Sequence, residues 1–274
     1  MMSKFAIFLL TTALCLVQSM GIAAAEVSAE KVYAAGDYQT AIRELENMRS
    51  AGTSSSELYY DLGNAYFQSG NVGAAVLNYN KALRLSPGNT DARHNLDFVR
   101  EQVRLANETL TDGKNIDPTP ADVGIVDYIC NGIARCSSNT WAVVAVIIFL
   151  LLLGCVVIYM FCANVMLRKT GFFGSIGLLI LCVVAIYCAV LSKRATLATD
   201  TCVLLSDEVT LRENASPDAK AVATPLSAGT MFKVLESTKT EDGTLWTEVY
   251  LNTDYTGWLP SSDIAIIELP EMRE

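Results

Sequence analysis

A single histidine, His94, is all that 274 residues supply. One imidazole leaves no Ser-His-Asp spacing and no His/Cys cluster at metal-ligand spacing, and no phosphate loop is present. No catalytic residue, cofactor or metal is therefore expected. Positive charge is also scarce: 20 Lys and Arg stand against 29 Asp and Glu, a net charge of −9. Nucleic acid needs a basic footprint to displace its counterions, and no basic stripe is present, so no nucleic-acid partner is expected. Cysteine available for disulfides is scarcer than the eight residues suggest. Cys15 lies in the N-terminal apolar run, and Cys155, Cys162, Cys182 and Cys188 lie in long apolar runs. Of the remaining three, Cys202 is expected in a core. Cys130 and Cys136 could pair in an oxidising compartment or stay as two free thiols at a membrane surface. Their C-x5-C spacing is not the C-x-x-C that tunes a reactive thiolate.

Apolar residues are present in excess, with a mean hydropathy of +0.32, and they are unevenly spread. Lys4, the run from Phe5 to Val17 and Ala23-Ala24-Ala25 have the three parts of a cleavable secretory signal over residues 1–25. The competing reading is an uncleaved anchor, for which the run is short. Residues 140–163 and 171–192 each offer an uncharged stretch long enough to span a bilayer. Residues 164–170, with Arg168 and Lys169, would form a short cytoplasmic loop. Arg135 and Lys193-Arg194 place positive charge on the other side too, so charge alone does not orient the hairpin. The signal does: both flanking domains would lie outside, in the periplasm of a bacterial inner membrane. Trp141 and Tyr159 are expected at interfaces, and Gly171, Gly174 and Gly177 give the second span a small-residue face. Residues 109–139 are expected as linker and juxtamembrane segment, stiffened by Asp117-Pro118-Thr119-Pro120, with an amphipathic helix from Val123 to Ile133 on the membrane.

An internal repeat precedes the linker. Gly36 recurs as Gly70 and Ala41 as Ala75, 34 residues on, and Leu62 recurs as Leu96. Between Ser56 and Pro87 the residues Tyr59, Leu62-Gly63, Tyr66, Ala75, Tyr79, Ala82 and Pro87 follow a large–small–large pattern that lets two antiparallel helices cross closely. This resembles the tetratricopeptide family. Residues 26–108 are expected to hold two such repeats, the first shortened. A helix from Asp91 to Asn107 would cap them, with Ala92, Leu96, Val99, Val103 and Leu105 on its apolar side. The resemblance implies a concave groove lined by the first helix of each repeat. It carries partner-binding roles onto Tyr60, Asn64, Phe67, His94, Asn95 and Phe98; solvated or structural roles are the alternative.

Residues 200–269 change to short alternating strands broken by turn clusters. Glu208-Val209-Thr210-Leu211-Arg212, Gly229, Trp246 and Gly257-Trp258-Leu259 resemble a bacterial SH3 domain, a small all-β barrel. Relatives commonly have Ser-Gly-Pro where Glu213-Asn214-Ala215-Ser216 stands. Some relatives bind cell-wall peptides, for which Trp246, Tyr255 and Trp258 could form an aromatic shelf; core packing is the alternative.

The fold class expected is therefore a multidomain membrane protein of all-α repeats, a two-helix hairpin and an all-β barrel. That order, with Tyr59-Tyr60-Asp61-Leu62-Gly63-Asn64-Ala65-Tyr66 and Asn95-Leu96, resembles the BatE family of Bacteroides aerotolerance (Bat) operons. The resemblance implies a membrane complex with Bat proteins carrying von Willebrand factor A domains and with a MoxR-type ATPase, serving oxidative-stress tolerance or envelope homeostasis. A non-catalytic scaffold is expected, with peptidoglycan binding or sensing through the barrel as the alternative.

Overall fold

The structure, a computed structural model, describes residues 29–121, 125–240 and 243–269. The signal-peptide reading, on residues 1–25, lies outside the described residues, as do Val123 and Gly124 of the amphipathic segment. Among the described residues five helices come first: α1 (29–34), α2 (Tyr38–Ser50), α3 (Ser56–Gln68), α4 (Val72–Leu85) and α5 (Thr90–Leu110). Each of the last four starts on a short polar side chain that accepts from a backbone N–H of the first turn: Asp37 from Thr40, Ser55 from Leu58, Asn71 from Ala74 and Asn89 from Ala92. Gly36 and Gly70, the pair that the 34-residue offset aligns, both hold φ 83° and stop the preceding helix in the left-handed conformation.

Inside the repeat the helices touch through small residues. A Cβ on Gly63 would lie 2.6 Å from the Tyr79 ring, and Ala75 and Ala82 are fully buried. Tyr59, Leu62 and Ala65 pack on Ala41, Leu45 and Met48 of the preceding helix, as the expected shortened first repeat requires.

Five antiparallel strands follow near the C-terminus: β1 (Thr201–Leu204), β2 (Met231–Lys239), β3 (Leu245–Asn252), β4 (Tyr255–Pro260) and β5 (Ile264–Ile266), in the order β4-β3-β2-β1-β5. The segment before β2 closes the barrel, because Arg212 pairs through its backbone with Trp258 of β4. Cys202, Leu204, Leu211, Phe232, Val249 and Leu259 fill its core.

Two expectations change here. The linker is no free spacer: Ile116 enters the barrel core, the Pro118 carbonyl accepts from Met231 N–H at 2.7 Å, and Ala121 N–H donates to the Leu251 carbonyl at 2.9 Å. An apolar residue inside a polar stretch has been buried, and the backbone around it satisfied, by lying on the barrel. Nor does α5 end the stack as the expected cap would, although it buries Ala92, Leu96, Val99 and Val103 of the expected apolar side and leaves Leu105 exposed. Leu96, Val99 and Val103 share one core with Val76 and Tyr79 of α4 and with Val203, Met231 and Ile267 of the barrel region. The barrel covers the end of the repeat stack that a cap would have left in water.

Between linker and barrel run α6 (Ile125–Ala134), α7 (Ser138–Phe161) and α8 (Val165–Leu197). The last two are long and apolar enough to cross a membrane by length and composition. Only residues 162–164 separate them, so most of the loop expected at 164–170 is helical instead. Asn164 caps α8 by accepting from Met166 N–H at 2.9 Å. A Cβ on Gly171 would stand 2.8 Å from the Cys155 carbonyl oxygen, and one on Gly174 3.4 Å from Cys155 Sγ, whereas Gly177 faces open space. The close contact thus uses two of the three glycines. Trp141 donates from Nε1 to the Ile133 carbonyl at 3.2 Å, and Ser192 Oγ to the Cys136 carbonyl at 2.7 Å, which ties α6 to the hairpin.

Candidate interaction surfaces

The first helices of the repeats, α3 and α5, place Tyr60, Asn64, Phe67, His94, Asn95 and Phe98 on a common side. Their centre is a hydrogen-bond cluster. Asn64 Oδ1 accepts from the Tyr79 hydroxyl at 2.7 Å and from Asn95 Nδ2 at 2.9 Å; the same Nδ2 lies 3.4 Å from the Tyr60 hydroxyl. The two asparagines therefore join neighbouring helices before they can join a ligand. Burial pushes the Tyr79 phenol pKa above its ordinary value, so it stays a donor to Asn64. Beside this cluster the surface is apolar and open. Phe98 is 55% exposed, Phe67 is half-buried, and their rings meet edge to face with centroids 5.9 Å apart. His94 is exposed. Tyr66 looks the other way, donating to Glu46 of α2 at 3.0 Å; burial and the Glu46 charge push its phenol up to about 12.

The opposite side of α4 and the inner side of α5 are closed by the barrel, through Arg84, Asn107 and Gly73, which pattern reasoning did not single out, and through Gly229, which it did. Arg84 reaches from the last turn of α4 to the carbonyls of Ala198 and Ile267 and to Thr201 Oγ1, the last at 2.6 Å. Burial lowers its pKa, with Asp200 nearby opposing the shift. Asn107 is fully buried; it donates to Thr230 Oγ1 at 3.0 Å and accepts from Ser227 N–H at 2.8 Å. Gly73 lets α4 approach so closely that a Cβ there would be 2.6 Å from the Leu204 carbonyl oxygen. Gly229 (φ 90°) sits against Val72, Val76 and Val103. One signal was available in the sequence: Asn107 continues the stripe Ala92, Leu96, Val99, Val103, where a polar residue at an apolar position implies a dedicated partner.

In the barrel, Leu211 is core, Gly257 lies where a Cβ would meet the Arg212 carbonyl at 2.6 Å, and Arg212 Nη1 donates to the Ala219 carbonyl at 2.9 Å. The three aromatics do not form a common shelf. Trp246 and Tyr255 are 3% and 4% exposed, Tyr255 shares a hydrogen bond with Thr224, and Trp258 alone is half-buried. Aromatics of this size in so small a barrel are needed for its interior. Next to Trp246 opens a pocket of about 480 Å³, whose walls include Glu208, Arg212, Pro217, Pro260 and Asp263. Cys130 and Cys136 stand as separate thiols, the first half-buried and the second exposed.

These features define a class: helical repeats with one open face, joined to a small antiparallel barrel and carrying two long apolar helices. Comparison with known families gives both modules a name. Residues 57–102 match the model of the TPR (tetratricopeptide) repeat, and residues 214–264 match that of the bacterial dipeptidyl-peptidase Sh3 domain. The chain thus carries a tetratricopeptide repeat and a bacterial SH3 domain; the second match begins after β1, which nonetheless pairs with β2 and β5. No curated protein matches the chain.

Proposed function

We propose that this protein is a non-catalytic, membrane-anchored scaffold whose tetratricopeptide face holds a protein partner, with α7 and α8 as its two spans. The observation that carries this reading is the exposed Phe98 ring, packed on Phe67 beside the Asn64–Asn95 pair, on the side of the repeats that the barrel leaves open. A large apolar ring beside oriented amides is the composition of an interaction surface. The finer reading places the scaffold in the inner membrane with both domains periplasmic, in an aerotolerance or oxidative-stress envelope complex. Its partners there are other Bat-type proteins with von Willebrand factor A domains and a MoxR-type ATPase. The order of signal, repeats, two apolar segments and bacterial SH3 domain supports it.

A crosslinking pull-down from native membranes tests this, comparing wild type with His94→Ala plus Phe98→Ala. The asparagines are poorer probes, because Asn64 also binds Tyr79 inside the repeat. Specific capture of von Willebrand factor A proteins, lost in the double variant, is the expected result; unchanged capture would move the binding site elsewhere. The match to a bacterial dipeptidyl-peptidase Sh3 domain and the pocket beside Trp246 favour a second reading, cell-wall binding or sensing. Retention of the full chain on purified sacculi, without any protein partner, is its signature.

A further inference from the structure

Residues 128–199 contain no Asp or Glu, in a chain that carries 29 of them. Their charges are all basic and stand in two groups: Arg168 and Lys169 near the turn of the hairpin, and Arg135, Lys193 and Arg194 at the end next to the repeats and barrel. Between the groups, residues 170–192 of α8 are uncharged, about 34 Å of helix at roughly 1.5 Å per residue. That length matches a hydrocarbon core of about 30 Å, so both groups fall at the depth of lipid head groups.

The two ends differ. At the turn, Arg168 lies over the Tyr159 ring, 6.0 Å from its centroid. At the domain end, Arg135, Lys193 and Arg194 are exposed, and none has a hydrogen bond or ion pair among the described residues. The fold holds them at one height. Ser192 Oγ donates to the Cys136 carbonyl at 2.7 Å, which sets the residue before Lys193 against the residue after Arg135, and Ser138 Oγ donates to the Ala189 carbonyl at 3.1 Å. Helix α6 adds an apolar part there: the Trp141 indole ties it to the hairpin through the Ile133 carbonyl, while Tyr128 and Ile129 are 71% and 53% exposed.

We infer that this end of the hairpin is a contact site for anionic phospholipids, whose phosphates pair with Arg135, Lys193 and Arg194 while their acyl chains lie against Tyr128 and Ile129 of α6. Charge complementarity and continuity with the spans select this occupant. Unpaired cations at head-group depth attract a negative leaflet, and exposed apolar side chains beside them are covered by the same lipid. An acidic protein segment would bring the charge without the chains. Only residues 198–200 separate α8 from β1, so lipids bound there hold the barrel close to the bilayer. The inference rests on α7 and α8 being spans, as proposed above.

The test uses the full chain reconstituted in phosphatidylcholine vesicles that contain brominated lipid, with Trp141 as the reporter. It is the one tryptophan of the hairpin and is half-buried at this end, and the Trp141→Phe chain supplies the barrel's own fluorescence for subtraction. Brominated phosphatidylglycerol is expected to quench Trp141 with a preference of about fivefold to tenfold over brominated phosphatidylcholine. Arg135→Gln plus Lys193→Gln plus Arg194→Gln is expected to bring that ratio to about one, whereas Arg168→Gln plus Lys169→Gln, at the far end, leaves it unchanged. Inorganic phosphate at matched ionic strength is expected not to displace the lipid. Equal quenching by the two lipids, a preference that survives in the triple variant, or displacement by inorganic phosphate would overturn the inference and leave the two spans standing. No quenching by either lipid would overturn the span reading with it.

Discussion

The two sides of the helical module are built from the same residue types to opposite ends. On the open side, Asn64, Asn95, Phe67 and Phe98 satisfy one another and still leave an aromatic ring in solvent. On the closed side, Asn107, Arg84 and Gly73 find their partners only in the barrel or in the segments flanking it, 114 to 183 residues away for Arg84. The difference separates a surface that is finished within the repeats from one that is finished by another domain. Repeats and barrel consequently share a core.

The largest expected effect breaks the closed side. Arg84→Ala removes the bonds to two carbonyls and the Thr201 hydroxyl, and leaves the carbonyl of the buried Ile267 without this partner. A loss of about 3–5 kcal/mol is expected. Urea unfolding of the detergent-solubilised chain, followed by tryptophan fluorescence, measures it, and a loss under about 1 kcal/mol would mean that water replaces the guanidinium.

A smaller effect sharpens the same comparison. Gly73→Ala gains helix propensity of about 1 kcal/mol but drives a Cβ into the Leu204 backbone, which has no rotamer to give. A net cost of about 1–2 kcal/mol is expected, seen as faster hydrogen exchange in both α4 and β1. Exchange that rises in α4 alone would show that the two domains open independently.

The pH dependence follows from the barrel core. Cys202 is fully buried, and burial pushes its thiol from 9.0 up to about 12. A raised folded pKa for a group that is neutral when protonated means that stability is fully present below pH 9 and is lost progressively between pH 9 and about 12. In the unfolded chain the thiol ionises there, while in the folded chain it cannot. The slope from this one group is at most about 1.4 kcal/mol per pH unit. Cys202→Ala is expected to lessen the slope of the stability profile between pH 9 and 10, the raised phenols of Tyr33, Tyr59, Tyr66 and Tyr79 supplying the remainder. An unchanged slope would place the titrating group elsewhere.

How much of this was legible beforehand depends on where each residue's partner lies. Gly63 and Tyr79 meet each other within one repeat, and Gly36 and Gly70 serve the backbone turns of the repeats themselves, so the repeat pattern reveals them. The change to short strands was visible as alternating runs, most plainly over β3 and β4, where burial on one face of a strand imposes a period of two. Gly73, Arg84 and Leu269 each have an ordinary local explanation, as helix start, helix-end cation and tail residue. Only the folded chain shows Leu269 packed in the repeat core and Arg84 holding the barrel. The loop at 164–170 was misread for a related reason: two charges suggested a water-facing turn, yet Asn164 caps a helix that carries both. Register put the candidate groove residues on α3 and α5, but the bond from Tyr79 to Asn64 depends on side-chain reach across two helices, which spacing does not encode.

The smallest expected effect on stability separates a finished surface from a working one. Phe98 is mostly exposed and His94 is exposed, so His94→Ala plus Phe98→Ala removes one edge-to-face ring contact and little buried area. A change of about 1 kcal/mol or less is expected in the same unfolding measurement. Partner capture from native membranes should nevertheless fall by at least about tenfold, because an exposed aromatic that costs nothing to remove from the fold retains its value only in a complex. If stability falls by about 3 kcal/mol instead, the ring belongs to the repeat's own packing, and the contrast between the closed and the open side disappears.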